Sequence, residues 1–141
     1  MDATGERRKG VLSGQDMAHW QASYEPALST GYHGWEVFKA GFWSQGPTLL
    51  QSLNTLSGVN VDLDDPSEFV HLVTETIKLS FADREAYYGD ADVGLPQDRL
   101  LGADYGETRR ALIGPRASLE QRPGHLDGFA HLAQAAIDRA A

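Results

Sequence analysis

Asp65-Pro66-Ser67-Glu68-Phe69-Val70-His71-Leu72-Val73-Thr74-Glu75-Thr76-Ile77-Lys78-Leu79-Ser80-Phe81-Ala82-Asp83-Arg84-Glu85-Ala86-Tyr87-Tyr88-Gly89 is the stretch on which the fold turns. Asp65 can accept from first-turn amides. Pro66 stands at the first helical position, where its missing N–H costs nothing, and Glu68 is the acid of a capping box. Val70, Val73, Ile77 and Phe81 then form an apolar stripe, with Phe69 and Leu72 beside it. The spacing predicts a helix from Pro66 to about Tyr88, stopped by Gly89.

Upstream, Gly41-Phe42-Trp43-Ser44-Gln45-Gly46-Pro47 reads as a loop entering another helix. Leu49, Leu50, Leu53 and Leu56 give that helix an apolar face, and Gly58 ends it. Before the loop, Ala27 to Thr30 and Trp35 to Phe38 flank Tyr32-His33-Gly34, a pattern that predicts a β-hairpin. Ser13 is a candidate cap for a short helix over Gln15 to Trp20. Downstream, Asp90 to Arg99 reads as a loop with Gly94 and Pro96. Asp104 can cap a helix running through Ile113, broken by Gly114-Pro115. Residues 115–128 look irregular. Phe129, Leu132, Ala133, Ala136 and Ile137 make a last amphipathic helix. The fold class is mainly α with one β-hairpin.

The chain has 141 residues, 41% hydrophobic and 23% charged, the mix of one ordinary globular domain. Its formal net charge of −8 argues against a nucleic-acid partner, which needs clustered Lys and Arg. Arg7-Arg8-Lys9 is the one basic run, read as a solvated cluster near the start. No cysteine is present, so disulfides, thiolate nucleophiles and Cys-based zinc sites are excluded. No apolar run reaches the roughly 18 residues of a membrane span. Residues 1–10 read as a disordered start with no signal peptide, leaving the compartment open.

Few groupings carry chemistry. Gly41 to Gly46 misses the nucleophile-elbow spacing by one residue, so Ser44 is read as a loop or cap residue. His71 and Glu75 share a helical face without a third ligand, and are read as a solvated hydrogen-bonded pair. Asp62, Asp64 and Asp65 lack the alternation of a calcium loop. Asp90 and Asp92 read as turn residues. His19, His33, His71, His125 and His131 are scattered, without a neighbouring nucleophile. Asp83 and Arg84 are read as tying the helix end to nearby loops through charge-assisted bonds. No catalytic, cofactor-binding or metal residue is assigned, and no cofactor is expected.

In the order they occur, four segments resemble the γ-glutamyltransferase (γ-glutamyltranspeptidase, glutathione hydrolase) family. They are Val11-Leu12-Ser13-Gly14-Gln15-Asp16, then Tyr32-His33-Gly34-Trp35-Glu36-Val37, then Ser44 through Leu56, and then His71 through Arg84 with Tyr87-Tyr88-Gly89-Asp90. Leu100-Leu101, Tyr105, Arg109 and Arg122-Pro123-Gly124 continue the likeness, which covers residues 11–126. It lies in the C-terminal part of the family's large subunit. The resemblance implies a partial segment of an αββα N-terminal-nucleophile hydrolase sandwich. It further implies a precursor that cleaves itself to expose a Thr, which attacks γ-glutamyl amides. The acyl group then passes to water or an amino acid. In the family that Thr follows Arg-Pro-Gly closely. Here the last Thr is Thr108, and residues 127–141 read as a divergent helical tail. The Asp90-to-Pro96 loop is shorter than the family's usual one.

The expectation is therefore a large-subunit segment that is inactive alone, whose partners are the rest of a precursor. A rival is a non-catalytic helical interaction or self-association module, using the apolar faces at 49–56 and 69–81. A hydrolase built on Ser44 is a remote third.

Overall fold

The computed structural model describes residues 5, 10–60, 62, 64–89 and 94–141. Among the described residues, six helices and one hairpin follow in the order α1 Gly14–His19, β1 Leu28–Tyr32, β2 Trp35–Lys39, α2 Gly46–Leu56, α3 Pro66–Tyr87, α4 Gln97–Leu100, α5 Ala103–Arg110 and α6 Ala130–Ala140. The expectations for residues 1–4 and 6–9, and for Asp90 and Asp92, lie outside the described residues.

Local chemistry sets most boundaries. Ser13 caps α1 through a reciprocal box with Asp16, yet no residue of α1 is buried. The hairpin is antiparallel, with Tyr32 opposite Trp35, so His33 and Gly34 form its two-residue turn. Both have positive φ, 47° and 84°, which is the backbone a twist-matched two-residue turn demands. Asp65 accepts from the Ser67 and Glu68 amides at the start of α3.

Two elements depart from the pattern reading. Gln97–Leu100 is a helical turn within the stretch read as loop. Helix α5 is capped by Gly102, not Asp104, and ends at Arg110, not Ile113. Asp104 sits in its first turn, where its charge faces the positive end of the helix dipole without being the cap.

The larger departure concerns which face of α3 is inside. The buried positions are Glu75, Thr76, Leu79, Ser80, Ala82, Asp83 and Tyr87. Of the apolar stripe, Val70 is 59% exposed, Ile77 44% and Phe81 40%. Helix α2 does likewise, burying Thr48, Gln51, Ser52, Asn54 and Thr55 around Leu50 while Leu49 stays exposed. One contiguous apolar cluster is Phe42, Tyr87, Leu100, Tyr105 and Leu126, with Phe129, Leu132 and Ala133 of the α6 region packed on it, and Leu50, Leu79, Ala82 and Ala136 are buried beside it. A core this small, set beside so many buried polar groups, needs those groups paired. That pairing organises the functional region.

Candidate functional site

Asp83 is the hub. It lies late on α3, and its carboxylate is 1% exposed. Oδ1 accepts from the Gly124 amide at 2.6 Å and faces Arg109 Nη2 at 3.3 Å. Oδ2 accepts from Tyr105 Oη at 3.0 Å and from Gln51 Nε2 at 3.3 Å. One carboxylate thus joins α2, α3, α5 and the 122–124 segment. Tyr88 Oη donates to Gln51 Oε1, and Gln51 Nε2 also reaches Leu100 O at 3.2 Å. Tyr87 Oη donates to Gly124 O, so Gly124 is held by both its amide and its carbonyl. A Cβ on Gly124 would lie 1.9 Å from Tyr105 Oη, which is why only glycine fits there.

Electrostatics follows from this burial. Loss of water pushes the Asp83 carboxyl upward, and Arg109 with the three donors pulls it part of the way back. Burial, reinforced by the Asp83 charge, also raises the phenols of Tyr87, Tyr88 and Tyr105, so all three stay protonated donors. The hub is a fixed set of donors around one acceptor. Its bonds hold the backbone of Gly124 at both the amide and the carbonyl.

A second cluster sits one face away. Glu75, also buried, binds Lys78, Arg122 Nη2 at 2.9 Å, and the Ser118 amide at 3.3 Å. Lys78 also donates to Ser118 O. His71 does not pair with Glu75, as the shared face suggested; its Nε2 lies 2.8 Å from Gly114 O. The irregular 111–128 segment leaves carbonyls and amides that no ladder satisfies, and α3 side chains reach out to them.

The other singled-out residues take structural places. Ser44 Oγ donates to Gly41 O at 2.8 Å and accepts from the Gly46 amide at 3.0 Å, a loop-closing role. Asp62 Oδ1 accepts from the Asp64 amide at 2.8 Å, while Asp65 caps α3. Arg84 Nη1 ties α3 to Gln45 Oε1 at 2.9 Å. His125 Nε2 lies 3.1 Å from Asp127 Oδ1. His19 ends α1 and His131 is exposed on α6. Among the described residues no group of three or more His, Asp or Glu could hold a metal ion. Pattern reading did not single out Gln51, Tyr88, Tyr105, Arg109 and Gly124 as one site. Their only shared signal was membership in the motif segments quoted for the family.

Comparisons with known proteins agree with that signal. A model of the gamma-glutamyltranspeptidase family matches residues 1–138. The Acylase ACY 1 proenzyme of Pseudomonas sp. (strain SE83) is 32% identical over 108 residues, 74% of this chain and 19% of that protein. The glutathione hydrolase-like YwrD proenzyme of Bacillus subtilis (strain 168) is 33% identical over 112 residues, 77% of this chain and 21% of its own length. The solved structure of LmbA2991HD shares 48% identity with a TM-score of 0.81, over 88% of this chain and 21% of that one. The chain spans about a fifth of the length of these relatives. It belongs to the gamma-glutamyltranspeptidase family.

Proposed function

We propose that this chain supplies part of the large subunit of a γ-glutamyltransferase or glutathione hydrolase, and that it is catalytically silent alone. The whole enzyme would be an αββα sandwich that moves a γ-glutamyl group from an amide to water or an amino acid. A hydroxyl nucleophile attacks the amide carbonyl, the amine leaves with a proton, and the acyl-enzyme is then opened by the acceptor. The observation that carries the reading is the absence of any Thr from residues 109–141, although the Arg122-Pro123-Gly124 segment that precedes the family's nucleophile is held in the Asp83 hub. Two related proteins carry proenzyme names, which supports a partner subunit. One of them is named an acylase, which supports reading the acyl donor as a wider class than glutathione alone.

The test is turnover of γ-glutamyl-p-nitroanilide by the purified chain. Release of p-nitroaniline at the uncatalysed rate is expected; turnover that depends on the chain would overturn the proposal, and its loss in Ser44→Ala would assign it to Ser44.

A second reading, a non-catalytic self-associating module, is favoured by one feature. A groove of about 340 Å³ between α2 and α3 has no charged residue in its lining, although the chain carries a net charge of −8. In the first reading the rest of the precursor covers this groove; in the second, another copy does.

A further inference from the structure

A cleft of about 650 Å³ lies between the segment that follows α1 and the loop that precedes α2, outside the groove just described. Trp20 and Glu25 line it from the first segment, and Gly41 and Trp43 from the second. The remaining lining is uncharged, so Glu25 is the one charge on it. Trp20 is 72% exposed and Trp43 57%, which leaves both indoles open to a ligand. Trp43 is nevertheless fixed in place. Its Nε1–H donates to Glu25 Oε2 at 2.7 Å, and a Cβ on Gly41 would lie 3.4 Å from the same nitrogen. Ser44 Oγ holds that loop by donating to Gly41 O at 2.8 Å. Among the described residues, Glu25 has the indole bond and no cation paired with it.

We propose that this cleft binds a small quaternary-ammonium cation, seated against the Trp20 and Trp43 indoles with Glu25 as its counter-charge. The face of an indole is the negative end of its quadrupole and attracts a cation, and tryptophan does so best among the aromatic side chains. A quaternary ammonium needs no hydrogen-bond acceptors, which suits a wall made mostly of Ala, Pro and Gly beside the two rings. The net charge of −8 adds a long-range attraction for the same sign of ligand. This inference does not depend on the γ-glutamyl reading, because it uses neither a nucleophile nor a second subunit.

Indole Nε1–H resonances report it directly, and the chain supplies its own control. Of its three Trp, two line the cleft and Trp35 stands at the hairpin turn. Titration of the purified chain with choline is expected to shift the Trp20 and Trp43 signals saturably and to leave Trp35 in place. 3,3-Dimethylbutanol, which has the same shape without the charge, is expected to shift neither. Glu25→Gln keeps an acceptor for the Trp43 indole and removes the charge, and Trp20→Leu removes one ring. Each is expected to weaken choline binding by about two- to fivefold, the range of one exposed ionic or cation–π contact, while the spectrum stays folded. Phosphatidylcholine vesicles are expected to leave the chain in the supernatant, because the headgroup phosphate would sit beside Glu25. Absence of a saturable shift would overturn the proposal, as would equal shifts with the neutral isostere or unchanged affinity in both variants. Co-sedimentation with the vesicles would overturn a free cation as the ligand.

Discussion

At the scale of single residues, two buried carboxylates do what the apolar core is too small to do. Asp83 faces the buried Arg109 guanidinium at 3.3 Å while accepting three other bonds. Asp83→Asn keeps the shape and an oxygen for the Gly124 amide, but removes the charge opposite Arg109. Stranding one partner of a buried pair costs about 3–5 kcal/mol, so urea unfolding should show a loss of that order. A loss under about 1 kcal/mol would mean that Arg109 is compensated elsewhere. Glu75 behaves differently. Burial alone would raise its carboxyl, but Lys78, the Ser118 amide and Arg122 outweigh it and hold the group below its ordinary value. A carboxylate depressed in the folded state contributes stability that is full above the unfolded pKa of about 4.3 and is lost as pH falls through the lower folded value. Stability measured from pH 6 to pH 3 should therefore drop, and Glu75→Gln should flatten that acid limb. Identical acid limbs in the two proteins would assign the pH dependence to other groups.

At the scale of elements, the hairpin and every helix but α4 were legible because their signals are local. The Asp65-Pro66-Ser67-Glu68 start, the Ser13 box and the His33-Gly34 turn act within a few residues. Which face of a helix turns inward is not local. Burial of Glu75, Asp83, Gln51 and Asn54 follows from partners that lie 22 to 49 positions away, such as Tyr105 for Asp83, Leu100 O for Gln51 and Leu101 O for Asn54. Periodicity alone chose the apolar stripe of α3 instead, because it scores side chains and not the carbonyls waiting elsewhere. Helix α4 was missed for a related reason: it has four residues and no side-chain cap bond. The crossing of α2 and α5 shows the same dependence on distant partners. A Cβ at Gly106 would stand 2.9 Å from the Asn54 carbonyl carbon and oxygen, which are backbone and cannot turn aside. Gly106→Ala should push the helices apart, costing about 1–3 kcal/mol as overpacking does, measured by chemical denaturation. Stability equal to the parent's would show that the two helices are free to separate at no cost.

At the scale of the whole molecule, polar hub and apolar outer face are two consequences of one arrangement. Helices α2 and α3 spend their polar faces on each other, on α5 and on the 111–128 segment, so their apolar residues are turned outward. Leu49, Ile77 and Phe81 remain 42%, 44% and 40% exposed around a groove whose lining carries no charge. Covering such a face contributes about 1.5–3 kcal/mol for each large apolar side chain removed from water. The isolated chain should therefore bind an apolar dye and sediment with a concentration-dependent mass. Ile77→Glu places a charge in the groove from an already exposed position. It should weaken association roughly tenfold or more, matching the loss of one such side chain, while unfolding stability stays within about 0.5 kcal/mol of the parent. A chain that sediments as a monomer at every concentration and binds no dye would mean that the groove is content in water, and the need for a covering partner would fall with it.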